Sequence, residues 1–235
     1  MPIHILTLTA RHPIARDTIE FHFAKPEGFQ FKAGQYGGFT LTHAKHLEPT
    51  NLNRRFSLAN APGDDTIVIA TRLQQSAYKK ELNALEIGGT IKFAGPVGNF
   101  TLHEDKLQPA VFIAGGIGIT PFYSMLRQAS LEKSQREFIL FYGNQTLADA
   151  AYIEELKNLN LENFTFVPVL ADGSESLPFE SGYISYELIK KYVKDLEKPV
   201  FYVCGSPAMV SALSETLKEL DIPSERTKVE DFPGY

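Results

Sequence analysis

Hydrophobic and polar positions alternate with period two through much of the first hundred residues, as in Thr18-Ile19-Glu20-Phe21-His22-Phe23. That period puts one face of a strand against a core and leaves the other to water. Segments of this kind cover Ile3 to Thr9, Thr18 to Ala24, Gln35 to Leu41, Arg54 to Ala59, Thr66 to Arg72 and Thr90 to Ala94. Turn signals separate them at Pro26-Glu27-Gly28, Ala33-Gly34, Pro62-Gly63-Asp64-Asp65 and Gly88-Gly89. Six strands at that spacing predict a small antiparallel barrel. Ser76 to Leu85 is the one helical interruption, with Ser76 as its N-cap.

From Pro109 the rhythm changes to strand then helix. Strands are expected over Ala110 to Ala114, Glu137 to Tyr142, Phe164 to Leu170, Val200 to Cys204 and Thr227 to Glu230. Helices are expected over Pro121 to Ser130, Asp149 to Leu159, Ser185 to Val193 and Pro207 to Leu220. The alternation predicts a doubly wound, five-stranded parallel sheet. The polar stretch His103 to Gln108 suggests a boundary, giving domains of 1–105 and 106–235.

The chain turns on Val111 to Pro121, an apolar run that breaks into Gly115-Gly116-Ile117-Gly118 and then into a helix start. Three glycines permit a tight turn and bring bare N–H groups close to a phosphate. Thr120 suits an N-cap and Pro121 the first helical position, so the positive end of a helix would point at a pyrophosphate. The third glycine of the dinucleotide fingerprint is missing, with Pro121 near its place. Taken alone, the stretch reads equally as an ordinary strand-to-helix turn.

Composition narrows the classes. The net charge of −5 argues against a nucleic-acid partner, which wants a basic surface. Residues 1–105 carry 11 Lys and Arg against 10 Asp and Glu, whereas 106–235 carry 12 against 18. The single cysteine, Cys204, excludes an intramolecular disulfide and a four-cysteine metal site in these 235 residues. No apolar stretch approaches the roughly 18 to 20 residues of a membrane span. Met1-Pro2-Ile3-His4 lacks the charged start of a signal peptide, so a cytoplasmic setting is expected. His43 and His46 form a His-x-x-His in a polar loop without a third ligand, so no metal site is assigned. No Gly-x-Ser-x-Gly elbow or lysine-bearing P-loop occurs, which sets hydrolase and NTPase readings aside.

Specific residues then sharpen the picture. Arg54-Arg55-Phe56-Ser57 resembles the Arg-x-Tyr-Ser motif of the ferredoxin–NADP reductase family. Ser76 to Leu82 and Gly95-Pro96-Val97-Gly98-Asn99-Phe100 are similar to later barrel segments of that family. Gly115 to Pro121 resembles its pyridine-nucleotide loop, Cys204-Gly205-Ser206-Pro207 its Cys-Gly-Pro-Pro segment, and Glu230 to Tyr235 its Glu-x-Phe-x-Gly-Tyr ending. The matches occur in the family's order along nearly the whole chain.

The resemblance implies a Greek-key barrel that binds FAD, joined to an NAD(P)H-binding α/β domain, with both ligands meeting between them. Arg54 would offer its fork to the flavin pyrophosphate, and Phe56 would lay a ring on the isoalloxazine where the family has tyrosine. Ser57 would place a hydroxyl near flavin N5, with Leu58 beside it. Ser76 and Ala77 would present N–H groups to the pyrophosphate, and Ala70 and Thr71 would approach the ribityl chain. Gly115, Gly116, Gly118 and Thr120 would hold NAD(P)H. Cys204 and Gly205 would line the nicotinamide pocket, although a buried structural cysteine remains an equal reading of Cys204. Glu230 would bond the carboxamide or assist a proton, and the Tyr235 ring would cover the flavin until nicotinamide displaces it.

These features imply an FAD-dependent NAD(P)H oxidoreductase passing a hydride to FAD and electrons to a separate acceptor, such as a ferredoxin or an oxygenase component. A monomer is expected. NADH is favoured over NADPH, because Gly143 to Thr146 and Leu170 to Ser174 offer no Lys or Arg for a 2′-phosphate while Asp172 repels one. The rival readings are a non-catalytic flavin or nucleotide sensor and an electron-transfer subunit active only within a complex.

Overall fold

The computed structural model describes residues 2–42, 48, 51–73, 76–173 and 179–232. Its first half contains β1 (Ile3–Ala15), β2 (Thr18–Ala24), β3 (Tyr36–Leu41), β4 (Asn53–Ser57), β5 (Thr66–Arg72), α1 (Ala77–Ala84) and β6 (Thr90–Val97). The strands are antiparallel in the order β4-β3-β6-β1-β2-β5. Along β3 the predicted alternation is met, with Gly37, Phe39 and Leu41 buried between half-buried neighbours. Phe21, Phe23, Phe39, Ile69, Ile91 and Phe93 fill the interior, joined by Tyr78 and Leu82 of α1. The outer strands approach each other, and the Ala59 N–H donates to the Val68 carbonyl at 2.8 Å. β1 runs beyond the predicted Thr9, because irregularities between Leu8 and Ala10 and between Pro13 and Ala15 break the alternation without ending the ladder to β2.

The second half contains β7 (Ala110–Gly115), α2 (Thr120–Leu131), β8 (Phe138–Asn144), α3 (Ile153–Lys157), β9 (Phe164–Leu170), β10 (Glu180–Ser181), α4 (Tyr186–Tyr192), β11 (Val200–Gly205), α5 (Pro207–Glu219) and β12 (Thr227–Asp231). All its strands are parallel, in the order β10-β9-β8-β7-β11-β12. The sheet therefore has six strands, not the expected five. The added strand, β10, is two residues long and pairs with Val169 and Leu170, too short to carry a periodic signal. α3 begins later than expected because Thr146 caps a separate 3-10 turn over Leu147–Asp149 and Tyr152 adopts a left-handed φ of 59°.

Successive strand residues divide between two layers. Val111, Ile113 and Val203 pack on Ile189, Val210 and Leu213 of α4 and α5. Phe112, Ala114, Tyr202 and Cys204 pack on Phe122 and Met125 of α2, and this layer also includes Ala59, Val68, Ala70 and Phe100 from the first half. The barrel and the sheet thus share one apolar layer, and polar contacts fix their orientation. Arg16 holds Asp149 through both oxygens (Nε–Oδ1 2.9 Å, Nη2–Oδ2 2.6 Å). The Tyr152 hydroxyl donates to Glu20 at 2.7 Å, and the Ser124 hydroxyl donates to the Asn60 carbonyl at 2.6 Å.

Phe122 is fully buried, with its ring stacked on Phe112 at 4.6 Å and tilted against Phe100 at 5.6 Å between ring centres. Phe122→Ala is expected to cost about 3–5 kcal/mol in denaturant unfolding. Because the layer spans both halves, the loss should shift one cooperative transition rather than split it in two.

Candidate active site

β7 and β11 are neighbours in the sheet, but the chain leaves them in opposite directions, toward β8 and toward β12. Where connections diverge in this way, the carboxyl ends of the strands open a crevice. Here the 3-10 turn Gly116–Ile119 runs straight into α2. The residue preceding α2 is Ile119, and Thr120 is already helical, so Thr120 is not the N-cap. Its hydroxyl instead donates to the Ile117 carbonyl at 3.1 Å, satisfying an acceptor of the tight turn.

Gly118 is required by packing, since a Cβ there would lie 2.5 Å from the Cys204 carbonyl oxygen, and Gly115 is seated against the Met209 thioether. The turn is therefore pressed against the end of β11 and the start of α5. Gly116, with φ of 51°, lines the crevice together with Gly115. The resulting groove has a volume of about 590 Å³ and includes Arg72, Asn144, Gln145, Tyr183 and Ser206 in its walls. Ser206 caps α5 and accepts the Met209 N–H, so this helix points its positive end into the groove. The Asp172 carboxylate accepts a hydrogen bond from the Gln145 amide, at the ends of β8 and β9.

Cys204 pairs with Ala114 on one side and Glu230 on the other. Its thiol is completely buried, and burial together with the charges of Glu230 and Asp231 pushes its pKa well up. The group stays protonated at neutral pH, which removes nucleophilic chemistry from it. Burial, reinforced by Asp231, pushes the Glu230 carboxyl up to about 7. Glu230 Oε2 is buried without a hydrogen-bond partner among the described residues.

On the barrel side, Ser57 ends β4, paired with Tyr36. Its hydroxyl is buried and likewise without a partner among the described residues. The Leu58 N–H donates to the Gln35 carbonyl at 2.9 Å, and its side chain belongs to the barrel core. Arg54 and Phe56 share a strand face, the guanidinium lying 5.6 Å from the Tyr78 ring centre and the phenyl ring 6.0 Å from it. Ser76 caps α1 as expected, accepting the Lys79 N–H, and Ala77 opens the helix. The Lys79 amine is pulled below its ordinary pKa by burial and by Arg54 and Arg72, so three cations converge at this helix start. Ala70 and Thr71 are buried in β5, with Ala70 in the same apolar layer as Ile117 and Cys204. Tyr235, His43 and His46 lie outside the described residues. Among the described residues, no cluster of His, Cys, Asp or Glu could hold a metal, and no helix is long and apolar enough to cross a membrane.

Arg72 was not marked by the sequence. It belongs to the barrel yet lines the groove of the sheet half, with Nη2 donating to the Asp149 carbonyl at 3.2 Å and Nε buried without a partner among the described residues. The only linear signal is its place at the end of a strand just before a capped helix.

The comparisons agree with this architecture. Residues 112–215 match the family described as oxidoreductase NAD-binding domain. The reductase component of propane 2-monooxygenase from Rhodococcus jostii is 29% identical over 96% of this chain and 62% of its own length. The chain thus spans less than two thirds of that relative. Ferredoxin–NADP reductase B of Sorangium cellulosum is 29% identical over 96% of both chains. The crystal structure of the Amycolatopsis cytochrome P450 reductase GcoB superposes with a TM-score of 0.83 at 26% identity, covering 98% of this chain and 70% of that one. In its fold and in these matches the chain is similar to ferredoxin–NADP reductases and to the reductase components of oxygenases.

The raised Glu230 pKa has a signed consequence for stability. Between about 4.5 and about 7 the folded state keeps a proton that the unfolded state releases, so the contribution is full below that window and is lost as pH rises through it. In thermal unfolding at stepped pH, the wild type should lose stability relative to Glu230→Gln across this window, and the difference should level off above it.

Proposed function

We propose that this chain is an FAD-dependent NAD(P)H oxidoreductase that hands electrons to a separate protein acceptor of the ferredoxin or oxygenase type. The observation that carries the reading is the Ser57 hydroxyl at the end of β4, buried and without a partner among the described residues. An orphaned buried hydroxyl carries a desolvation cost of roughly 1–3 kcal/mol, which a heteroaromatic ring nitrogen placed against it would relieve.

The residues fit the implied cofactor. Arg54, Lys79 and the amino end of α1 supply positive charge for a pyrophosphate, and Phe56 supplies a half-buried ring beside an isoalloxazine. Bound FAD would supply the redox chemistry, accepting a hydride and releasing electrons singly or in pairs. Gly115, Gly116, Arg72 and the start of α5 would hold the nicotinamide nucleotide. Cys204 would back the nicotinamide with a small neutral wall that admits no water. Glu230, near neutrality in its proton affinity, would bond the carboxamide and fix which ring face is presented. NADH is the proposed donor, since Asp172 and Gln145 occupy the strand ends and the charge on Asp172 opposes a 2′-phosphate.

Anaerobic addition of NADH to the FAD-loaded protein should bleach the flavin band near about 450 nm. A flavin that binds but is not reduced would leave the sensor reading instead. Ser57→Ala should slow the bleaching by about 10- to 100-fold in stopped flow, as expected when a positioning hydrogen bond at the reacting atom is lost. Arg72→Ala should weaken nucleotide binding by about 10- to 100-fold without changing the flavin spectrum, the usual scale for one charge-assisted contact.

A further inference from the structure

A second cavity, of about 520 Å³, lies at the amino ends of β7 and β8, the opposite end of the sheet from the nucleotide groove. Its walls come from both halves. Lys32 and Pro62 belong to barrel loops, His103 and Lys106 to the junction before β7, Gln128 to the end of α2, and Arg136 immediately precedes β8.

Arg136 is the anomaly in this cavity. It is 3% exposed, and its guanidinium donates to the carbonyls of Gln108 (2.7 Å) and His103 (3.0 Å) and meets the His103 ring. Every one of these partners is neutral, and no described carboxylate lies within ion-pair distance. Buried charges are ordinarily paired, because taking one out of water without a counter-charge is expensive. Asp105 acts on Arg136 only through space. Lys32 and Lys106 on the same cavity are exposed and form no ion pair with a described residue. Glu104 and Glu132 also line it, and the Glu132 carboxylate is engaged by the Gln128 amide at 2.6 Å. Burial, Arg136 and Lys228 hold His103 below its ordinary pKa, so in the free protein the imidazole adds no charge.

We propose that this cavity is a binding site for a small phosphate-type oxyanion, held by Arg136 with Lys32 and Lys106 at its mouth and touching both halves of the molecule. The ligand supplies the counter-charge that Arg136 lacks. Its arrival would also raise the His103 pKa, since a nearby negative charge favours the imidazolium.

The test is calorimetric titration of the whole chain with inorganic phosphate, with ionic strength held constant by chloride, alongside NMR titration of the His103 ring. The expected result is one saturable site and a His103 pKa that moves up when phosphate is present. Lys32→Gln/Lys106→Gln should weaken that site by about tenfold, the scale of two exposed charge contacts. Arg72→Ala, which leaves the lining of this cavity unchanged, should retain it. Arg136→Met should abolish it; if that variant does not fold, the double lysine variant decides. Three results would overturn the proposal: no saturable binding beyond chloride, affinity unchanged in the double lysine variant, or loss of the site in Arg72→Ala. The last would mean that phosphate occupies the nucleotide groove.

Discussion

The structure depends on a seam of small residues. Ala59 and Ala70 from the barrel belong to the same apolar layer as Ala114 and Cys204 from the sheet, and the backbone of Gly118 is pressed against the Cys204 carbonyl. Larger side chains at these positions would push the two halves apart, and packed interiors absorb added volume poorly. In the proposed function the end of β4 and the ends of β7, β11 and β12 form one rim. Arg16, Tyr152 and Ser124 then fix the angle at which the halves meet.

Closing the seam removes water from groups that need partners. Ser57, Glu230 and the Nε of Arg72 each keep a buried polar atom with no partner among the described residues. Native structures satisfy nearly all such atoms, and in the proposed function the bound flavin and nicotinamide would complete these three. The same closure raises the pKa of Glu230 and keeps the Cys204 thiol protonated. The electrostatics of these groups is thus a consequence of packing, and the proposed roles follow from which atoms the packing leaves without a partner among the described residues.

Much of this was legible in the linear pattern. Period-two alternation located the barrel strands, and apolar runs ending in glycine located β7 and its turn, because each signal is local to a few residues. The six-stranded sheet was not legible, since β10 forms only when two residues meet the end of β9. Nor was the place of Thr120, because a 3-10 turn that flows into a helix shifts the cap by one residue. Arg72 was hidden for a deeper reason: its function as a groove wall depends on strands distant in sequence. The glycine spacing signals a phosphate-facing turn, whereas the structure adds that Gly118 is demanded by the β11 backbone and that Gly115 sits against Met209, contacts that no single-chain pattern records.

In the proposed function one rim serves both a flavin and a nicotinamide, and a crystal structure of the chain with FAD and NAD⁺ bound is the sharpest test. The Ser57 hydroxyl should then lie within hydrogen-bonding distance of the flavin ring, the Glu230 carboxyl on the carboxamide, and the two heterocycles in contact between them. A nucleotide lying along Gly116 with its nicotinamide turned away from Ser57, or a flavin bound elsewhere on the barrel, would contradict it.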